Sequence, residues 1–362
     1  MPTVHILKES PVRSSFRVEQ VRGMFDYRGD TVRHEHTAEL PLNEQSWQIG
    51  CICGPSGSGK STLARAAFPG LHYHLGSDWS EDKALIDDFA DALNTKTIVA
   101  ALSAVGFSSP PMWLKPFAHL SNGQQFRVEL ARAVLERAGG LVYDEFTSVV
   151  DRDAARIGSA AVAKMLRSRG MPPFVAVSCH YDIIDWLDPD WVYDVGSSRF
   201  EWRRRRRFPE VVIEVHRTSP DAWGIFRTHH YLDHHIHKSA QCYLGLWEGA
   251  PVAFGAVLHF PHANEDRFKR EHRIVVLPDY QGIGIGNRFS EHLARRYVEQ
   301  GYRYISTTSN PAMIYHRARS PLWRTNRFGN ANKYQPGSGK SGFEKTGSSA
   351  RLTGGFEFIG MP

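Results

Sequence analysis

Short apolar runs alternate with amphipathic stretches along the whole chain. "WQIGCIC" (47–53), "LVYDEF" (141–146) and "FVAVSCH" (174–180) are apolar runs of strand length, which predict buried strands. "STLARAAF" (61–68) and "LSNGQQFRVELARAV" (120–134) carry apolar residues at helical spacing. After a strand-like "WVYDVGSSRFEW" (191–202), "EVVIEV" (210–215) opens a new strand pattern. "SAQCYLGLWEGAPVAFGAVLHF" (239–260) reads as two strands joined at Glu248-Gly249. "HRIVVLPDYQGIGIGNRFSEHLARRYVEQG" (272–301) predicts a strand, a glycine-rich turn and a long amphipathic helix. "YRYISTTSNPAMIYHRA" (302–318) predicts a further strand and helix, and "RLTGGFEFIG" (351–360) alternates enough to rejoin a sheet.

A length of 362 residues suggests two domains. Five arginines, Arg203 to Arg207, mark either a solvated linker or an interaction patch, because five like charges in a row do not pack. The expected division is 1–202, a basic linker at 203–209, and 210–362 with a flexible basic loop near 329–349. The "GSGKS" inside that loop has no strand before it and is not a second phosphate loop. The net charge of +6 is uneven: residues 201–362 hold 24 basic against 14 acidic residues, leaving 20 against 24 before them. A basic second half points to a polyanion partner or an anionic cofactor. No run of 18 apolar residues occurs, so no membrane span is expected. Four cysteines give no disulfide framework, and no secretory leader is visible, so a reducing, cytoplasmic setting is expected.

"CICGPSGSGKST" (51–62) contains G-x-x-x-x-G-K-[ST] from Gly54 to Ser61. The strand before it and the helix after it are the context this motif requires, and a plain glycine-rich surface turn is the competing reading. Backbone N–H groups of Gly54, Ser56, Gly57, Gly59 and Thr62 would cradle phosphate oxygens at the helix start. Lys60 would reach the terminal phosphates of a nucleoside triphosphate, and the Ser61 hydroxyl would face Mg²⁺. Asp144, at the end of an apolar strand, would hold Mg²⁺ through water, and Glu145 would polarise the attacking water. Ser121 would cap a helix, with Asn122 and Gly123 presenting N–H groups as a second anion site.

These motifs together resemble the ABC ATPase family. "GPSGSGKST" is similar to its Walker A loop, "LSNGQ" to its LSGGQ signature with Asn122 for the first glycine, and "LVYDE" to Walker B. "SVVD" (148–151) resembles the D-loop, and His180 the switch histidine. The five stand in family order over about 130 residues. The resemblance implies ATP and Mg²⁺ as ligands, with Glu145 and His180 catalytic. It implies a head-to-tail homodimer, in which Ser121 and Gly123 of one copy cap the ATP of the other. It also implies an aromatic on the adenine, for which Phe25 and Tyr27 are candidates. No glutamine lies between Gln48 and Gln124, so the family's Q-loop residue is absent. "SDWSED" (77–82) stands near its place without a role that the sequence can assign. The missing glutamine lowers the transporter reading, leaving the soluble machines of this family.

In the second half, Gln281, Gly282, Gly284 and Gly286 would line up N–H groups before a helix, where missing Cβ atoms let a pyrophosphate approach. "VVLPDYQGIGIG" resembles the acetyl-CoA loop of GCN5-related N-acetyltransferases (GNAT), and the likeness extends over roughly 210–325. A Rossmann unit competes, but "YRYISTT" offers no acid for a ribose. The resemblance implies acetyl-CoA as cofactor and Tyr315 as the acid that returns a proton to the thiolate; a packed helix tyrosine is the alternative. Glu271 or His272 could act as base. "HHYLDHHIH" (229–237) places His230 and His234 four apart on a presumed helix, where a wet polar face near the acceptor outweighs a metal site. A fainter likeness, carried by "HHYL", "VVLPDYQG" and "RSPLWR", is to the Mom-type DNA-modification proteins of bacteriophages. The expected fold class is therefore α/β: an ABC-type P-loop NTPase domain followed by an α+β GNAT-like acyltransferase domain. Nucleic acid is the expected acceptor; a transport or assembly ATPase with a non-catalytic GNAT-like binding module is the alternative.

Overall fold

The computed structural model describes residues 3–27, 29–137, 139–204, 209–230, 234–261, 265, 267–330 and 352–360. Arg205 to Arg207 and most of the 329–349 loop, with its "GSGKS", lie outside the described residues. Packing divides the chain into two compact units of three segments each. One comprises Met1–Leu75, Arg137–Ser148 and Gly170–Arg206; the other Gly76–Glu136, Val149–Arg169 and Arg207–Pro362. This division differs from a cut at 202. The helical segments before 170, read from sequence as part of the first domain, pack in one unit with the C-terminal half.

In the first unit, strands β1 (Thr3–Pro11) and β2 (Thr31–Glu39) form an antiparallel pair, and helix α1 (Phe16–Phe25) lies between them in sequence. The central sheet contains β3 (Ile49–Cys53), β4 (His72–His74), β5 (Leu141–Tyr143), β6 (Phe174–Ser178), β7 (Trp191–Asp194) and β8 (Arg199–Trp202). Their order is β4-β5-β6-β3-β7-β8, parallel except at the β7–β8 hairpin. β3 and β6 are buried at every position, as covered parallel strands must be. That burial accounts for Cys51 and Cys53, which are free thiols packed in β3. Helix α2 (Lys60–Ala67) packs Leu63 and Ala64 into a core with Ile52, Val142, Val175 and Trp191.

The second unit begins with helices α3 (Thr95–Ala104), α4 (Asn122–Glu136) and α5 (Arg152–Arg169). Each buries an apolar face, and Phe126 of α4 occupies the side of α5 that Gly158 leaves open. A seven-stranded sheet follows. It holds β9 (Glu214–Thr218), β10 (Gln241–Trp247), β11 (Ala250–His259), β12 (Phe268–Val276), β13 (Arg303–Thr308), β14 (Trp323–Asn330) and β15 (Leu352–Phe358). The order is β14-β15-β13-β12-β11-β10-β9, with β15 inserted beside β13 as its alternation predicted. The β10–β11 turn falls at Glu248 and Gly249, both with positive φ, as predicted for a two-residue hairpin loop.

Between β12 and β13 runs helix α6 (Ile285–Val298), which makes the pair parallel. Their register covers only Phe268↔Arg303 to Arg270↔Ile305, while both strands continue beyond it. The two strands therefore diverge toward the end where the Asp279–Gly286 loop and helix α7 (Pro311–Arg317) stand.

Candidate functional site

The P-loop closes on its own backbone. Gly59 caps α2 at φ 92°, a left-handed conformation that suits glycine, and the helix starts at once with Lys60. Lys60 Nζ donates to the Pro55 carbonyl at 2.8 Å. Ser61 Oγ donates to Asp144 Oδ1 at 3.1 Å, so the sheet brings together the two predicted Mg²⁺ groups from 83 residues apart. Tyr73 donates to the other oxygen of Asp144. Burial, then this hydrogen bond, raises the Tyr73 phenol above its ordinary range. Glu145 sits at φ 49°, its N–H bonded to Asp144 Oδ1 at 3.0 Å and its carboxylate accepting from Ser148 Oγ at 2.6 Å. His180 Nδ1 lies 3.4 Å from Thr147 Oγ1. Ser58 Oγ is buried within the loop and has no partner among the described residues. An orphaned hydroxyl in a turn at a helix N-terminus fits a phosphate. Phe25 is exposed and Tyr27 partly so, which leaves both free to stack rather than committed to the core.

In the second unit, Ser121 forms a reciprocal cap at the start of α4. Its N–H donates to Gln124 Oε1 at 3.1 Å, and its Oγ accepts from the Gln124 N–H at 3.4 Å. The "SDWSED" segment is tied to this helix. Ser77 Oγ and Trp79 Nε1 donate to the two oxygens of Glu129, at 2.5 and 2.6 Å. Trp79 stacks on Phe117 at 4.4 Å, with the Arg132 guanidinium also 4.4 Å from the Trp79 ring centre. Sequence reasoning assigned these residues no role; their acceptor on α4 is 50 residues away.

The glycine-rich loop of the same unit is held by a residue that sequence reasoning missed. Arg127 of α4 is 1% exposed. It donates to the carbonyls of Val105 (2.8 Å), Gln281 (2.8 Å) and Asp279 (2.6 Å). Burial lowers the guanidinium to about 10 against the pull of Asp279 and Asp151, so it stays charged at neutral pH. Gln281 is engaged through its side chain as well, accepting from Ser108 Oγ at 3.1 Å and donating to the Val276 carbonyl at 2.8 Å. A Cβ on Gly282 would come within 3.0 Å of Ala161 and 3.1 Å of Gly106. Gln281 and Gly282 therefore face the helices, whereas Gly284 caps α6 at φ 99° with nothing within 4 Å of where its Cβ would lie. In the first turn of α6, Asn287 Oδ1 is buried without a partner among the described residues. The open Gly284 edge and this orphaned acceptor fit a cofactor carrying a pyrophosphate and amide donors. Lys164 lies one turn beyond Ala161 on α5. Burial first, then the Arg288 charge of α6, lowers its amine, a repulsion that an anion at the loop would relieve.

The cleft between the diverging strands is occupied by a buried polar cluster. Glu271 pairs with Arg317 at 3.0 Å, both nearly inaccessible. Ser306 Oγ donates to Glu271 at 2.7 Å, and Arg317 Nη2 to Ser290 Oγ at 2.7 Å. Glu271 is thus a structural partner of Arg317 and not a free base. His272 Nε2 accepts the His237 N–H at 3.3 Å. Tyr315 is 63% exposed, its ring 3.7 Å from the Arg319 guanidinium. Asn310 caps α7 through Ala312 (3.0 Å) and Met313 (3.2 Å). Residues 231–233, between His230 and His234, lie outside the described residues. His230 follows a 3₁₀ turn at Arg227–His229, and 234–237 is irregular. Among the described residues no three ligating side chains gather for a metal.

Residues 200–317 match the model of the Acetyltransferase (GNAT) family. The chain is 35% identical to Elongation factor 3 of Zygosaccharomyces rouxii over 116 residues, 28% of this chain and 11% of that protein. It is 31% identical to Elongation factor 3B of Saccharomyces cerevisiae over 116 residues, with the same shares. The chain thus spans about a tenth of the length of each of these two relatives. Among solved structures, the dimeric post-hydrolysis ATP-binding cassette MJ0796 bound to ADP and Pi covers 49% of this chain and 95% of its own. Its identity is 17% and its TM-score 0.38.

The fold is an ABC-type P-loop domain followed by a GNAT-like domain. In the ABC-type part, Asp144, Glu145 and His180 lie just past the C-terminal ends of β5 and β6, and Lys60 and Ser61 open the helix that follows β3. In the GNAT-like part, Gly284 heads the helix that crosses from β12 to β13. Among the described residues no helix is long and apolar enough to cross a membrane.

Proposed function

We propose that this chain is an ATP-binding and ATP-hydrolysing ABC-type ATPase, within 1–202, fused to an acetyl-CoA-dependent acyltransferase, within 210–362, that acts on or near nucleic acid in the cytoplasm. Two helix starts carry the reading. Gly59 and Gly284 head α2 and α6 at φ 92° and 99°, each near a buried oxygen without a partner, Ser58 Oγ and Asn287 Oδ1. Gly54, Ser56, Gly57, Gly59, Lys60 and Thr62 bind the triphosphate, and Ser61 and Asp144 hold Mg²⁺. The ion neutralises phosphate charge when bound. Glu145 orients water and His180 contacts the terminal phosphate. Two copies close head to tail, with Ser121 and Gly123 of each copy against the nucleotide of the other.

Gly284 and Gly286 receive the pyrophosphate of acetyl-CoA, with Gln281 and Gly282 shaping the loop, and Tyr315 protonates the leaving thiolate. The excess of base after residue 200 supports nucleic acid as the acceptor. Calorimetry with acetyl-CoA tests the second half: wild type binds, and Gly284→Asp, which adds a charge and a Cβ at positive φ, does not. Absence of binding in wild type overturns the acyltransferase. One observation favours a second reading, a non-catalytic binding module: Glu271 is committed to Arg317, so the cleft lacks that base. Acetyl-CoA binding without acyl transfer to DNA, RNA or protein, followed by mass analysis, would select it.

A further inference from the structure

The signature motif and the acetyl-CoA loop touch each other inside one unit. A Cβ built on Gly123 would lie 3.0 Å from Asp279 Oδ1, so the first residue of the loop's 3₁₀ turn after Pro278 stands against the motif read as an ATP-binding surface. Four residues after Gly123 on α4, Arg127 holds the carbonyls of Asp279 and Gln281. Gly106 and Ala161 cover Gly282 from the other side, and Tyr280 Oη donates to Asp153 at 3.4 Å. The Asp279 carboxyl faces Arg127, Asp151, Asp153 and His229. Burial raises it, Arg127 and His229 pull it down, and the two aspartates raise it further.

We propose that Asp279 and Arg127 couple the two ligands: a nucleotide phosphate arriving at Ser121–Gly123 repels the Asp279 carboxylate and loosens the loop that Arg127 holds, letting it settle around the acetyl-CoA pyrophosphate at Gly284 and Gly286. Arg127 is a positioning residue here, acting through two loop carbonyls rather than on any ligand. This rests on the ATP and acetyl-CoA assignments above. A phosphate and a carboxylate brought together at one helix N-terminus repel at short range in a partly dry site. The coupling is reciprocal by thermodynamic necessity, so acetyl-CoA strengthens nucleotide binding by the same factor.

The test uses the full chain, AMP-PNP with Mg²⁺, and acetyl-CoA. In wild type, AMP-PNP speeds amide exchange over 278–286 and tightens acetyl-CoA binding by at least about five-fold. In Asp279→Asn, which keeps the shape and removes the charge, AMP-PNP still binds, but loop exchange and acetyl-CoA affinity no longer respond. In Arg127→Met the loop exchanges fast with or without nucleotide. The wild-type exchange arm does not depend on that variant folding. Unchanged exchange over 278–286 in wild type with AMP-PNP bound overturns the coupling and leaves the two ligand assignments standing. An undiminished response in Asp279→Asn overturns it equally. Failure of wild type to bind acetyl-CoA overturns the acyltransferase reading instead, and the exchange arm still decides whether the loop answers to nucleotide.

Discussion

Arg317 and Glu271 form an ion pair 3.0 Å apart at the point where β12 and β13 diverge, with 1% and 6% of their side chains exposed. Each charge is tolerated there only because the other is present, with Ser290 and Ser306 taking further hydrogen bonds. Arg317→Met leaves the Glu271 charge buried without its counter-ion, at a cost of about 3 to 5 kcal/mol. Adding Glu271→Met recovers only part of that loss, because no charge is then buried alone but the Ser290 and Ser306 hydroxyls lose their partners. Urea unfolding of both variants checks this; a single-variant loss below about 1 kcal/mol would contradict the pairing.

Glu145→Gln lowers ATP turnover by about a hundred-fold or more while leaving ATP affinity near wild type, since water orientation is lost but the phosphate cradle is intact. The variant accumulates as an ATP-bound dimer in gel filtration. Lys60→Ala instead removes tight nucleotide binding. Normal turnover in Glu145→Gln would remove Glu145 from the catalytic assignment.

Glu129→Gln loosens "SDWSED" from α4. The charged acceptor shared by Ser77 and Trp79 becomes a neutral amide, costing about 1.5 to 3 kcal/mol. Thermal unfolding reads the loss, and Trp79 fluorescence reads the altered stacking on Phe117.

Asp279 gives a pH signature. Its folded carboxyl is raised, so the contribution to stability is full below the unfolded value of about 3.9 and is lost as pH rises through the folded value. Asp279→Asn is therefore more stable than wild type at neutral pH, and the advantage disappears on acidification toward about pH 4. A melting series from pH 4 to 8 decides it; an advantage independent of pH would mean that charge is not the cause.

Nucleic-acid binding weakens with salt if phosphate contacts carry it. Arg203 is engaged with Asp185 at 2.8 Å, which leaves its successors as the ones to test. Combined Arg204→Ser, Arg205→Ser and Arg206→Ser reduces the log–log salt slope by about 2 to 3 for both DNA and RNA. Filter binding across a salt series measures it, and an affinity indifferent to salt would exclude the polyanion partner.

The sequence by itself determined the local devices. The P-loop, the Ser121 cap, the Glu248-Gly249 turn and the Gly284 helix start are each written within a few residues, because backbone conformation and capping are short-range. It also placed Asp144 and Glu145 at the end of their strand. Tertiary structure alone decided the rest. Nothing local shows that Arg127 will hold carbonyls 152 and 154 residues away, or that Glu271 will belong to Arg317 rather than to a substrate. The histidine stretch has helical spacing, yet the His234 and His235 carbonyls are taken by Trp223 Nε1 at 2.6 Å and Arg273 at 3.1 Å. His230 itself is extended, at φ −90° and ψ 127°, where a helix through the stretch would need it coiled. A motif is legible when its chemistry is contiguous in the chain; the partner of a buried charge is set only when packing has closed every other route to water.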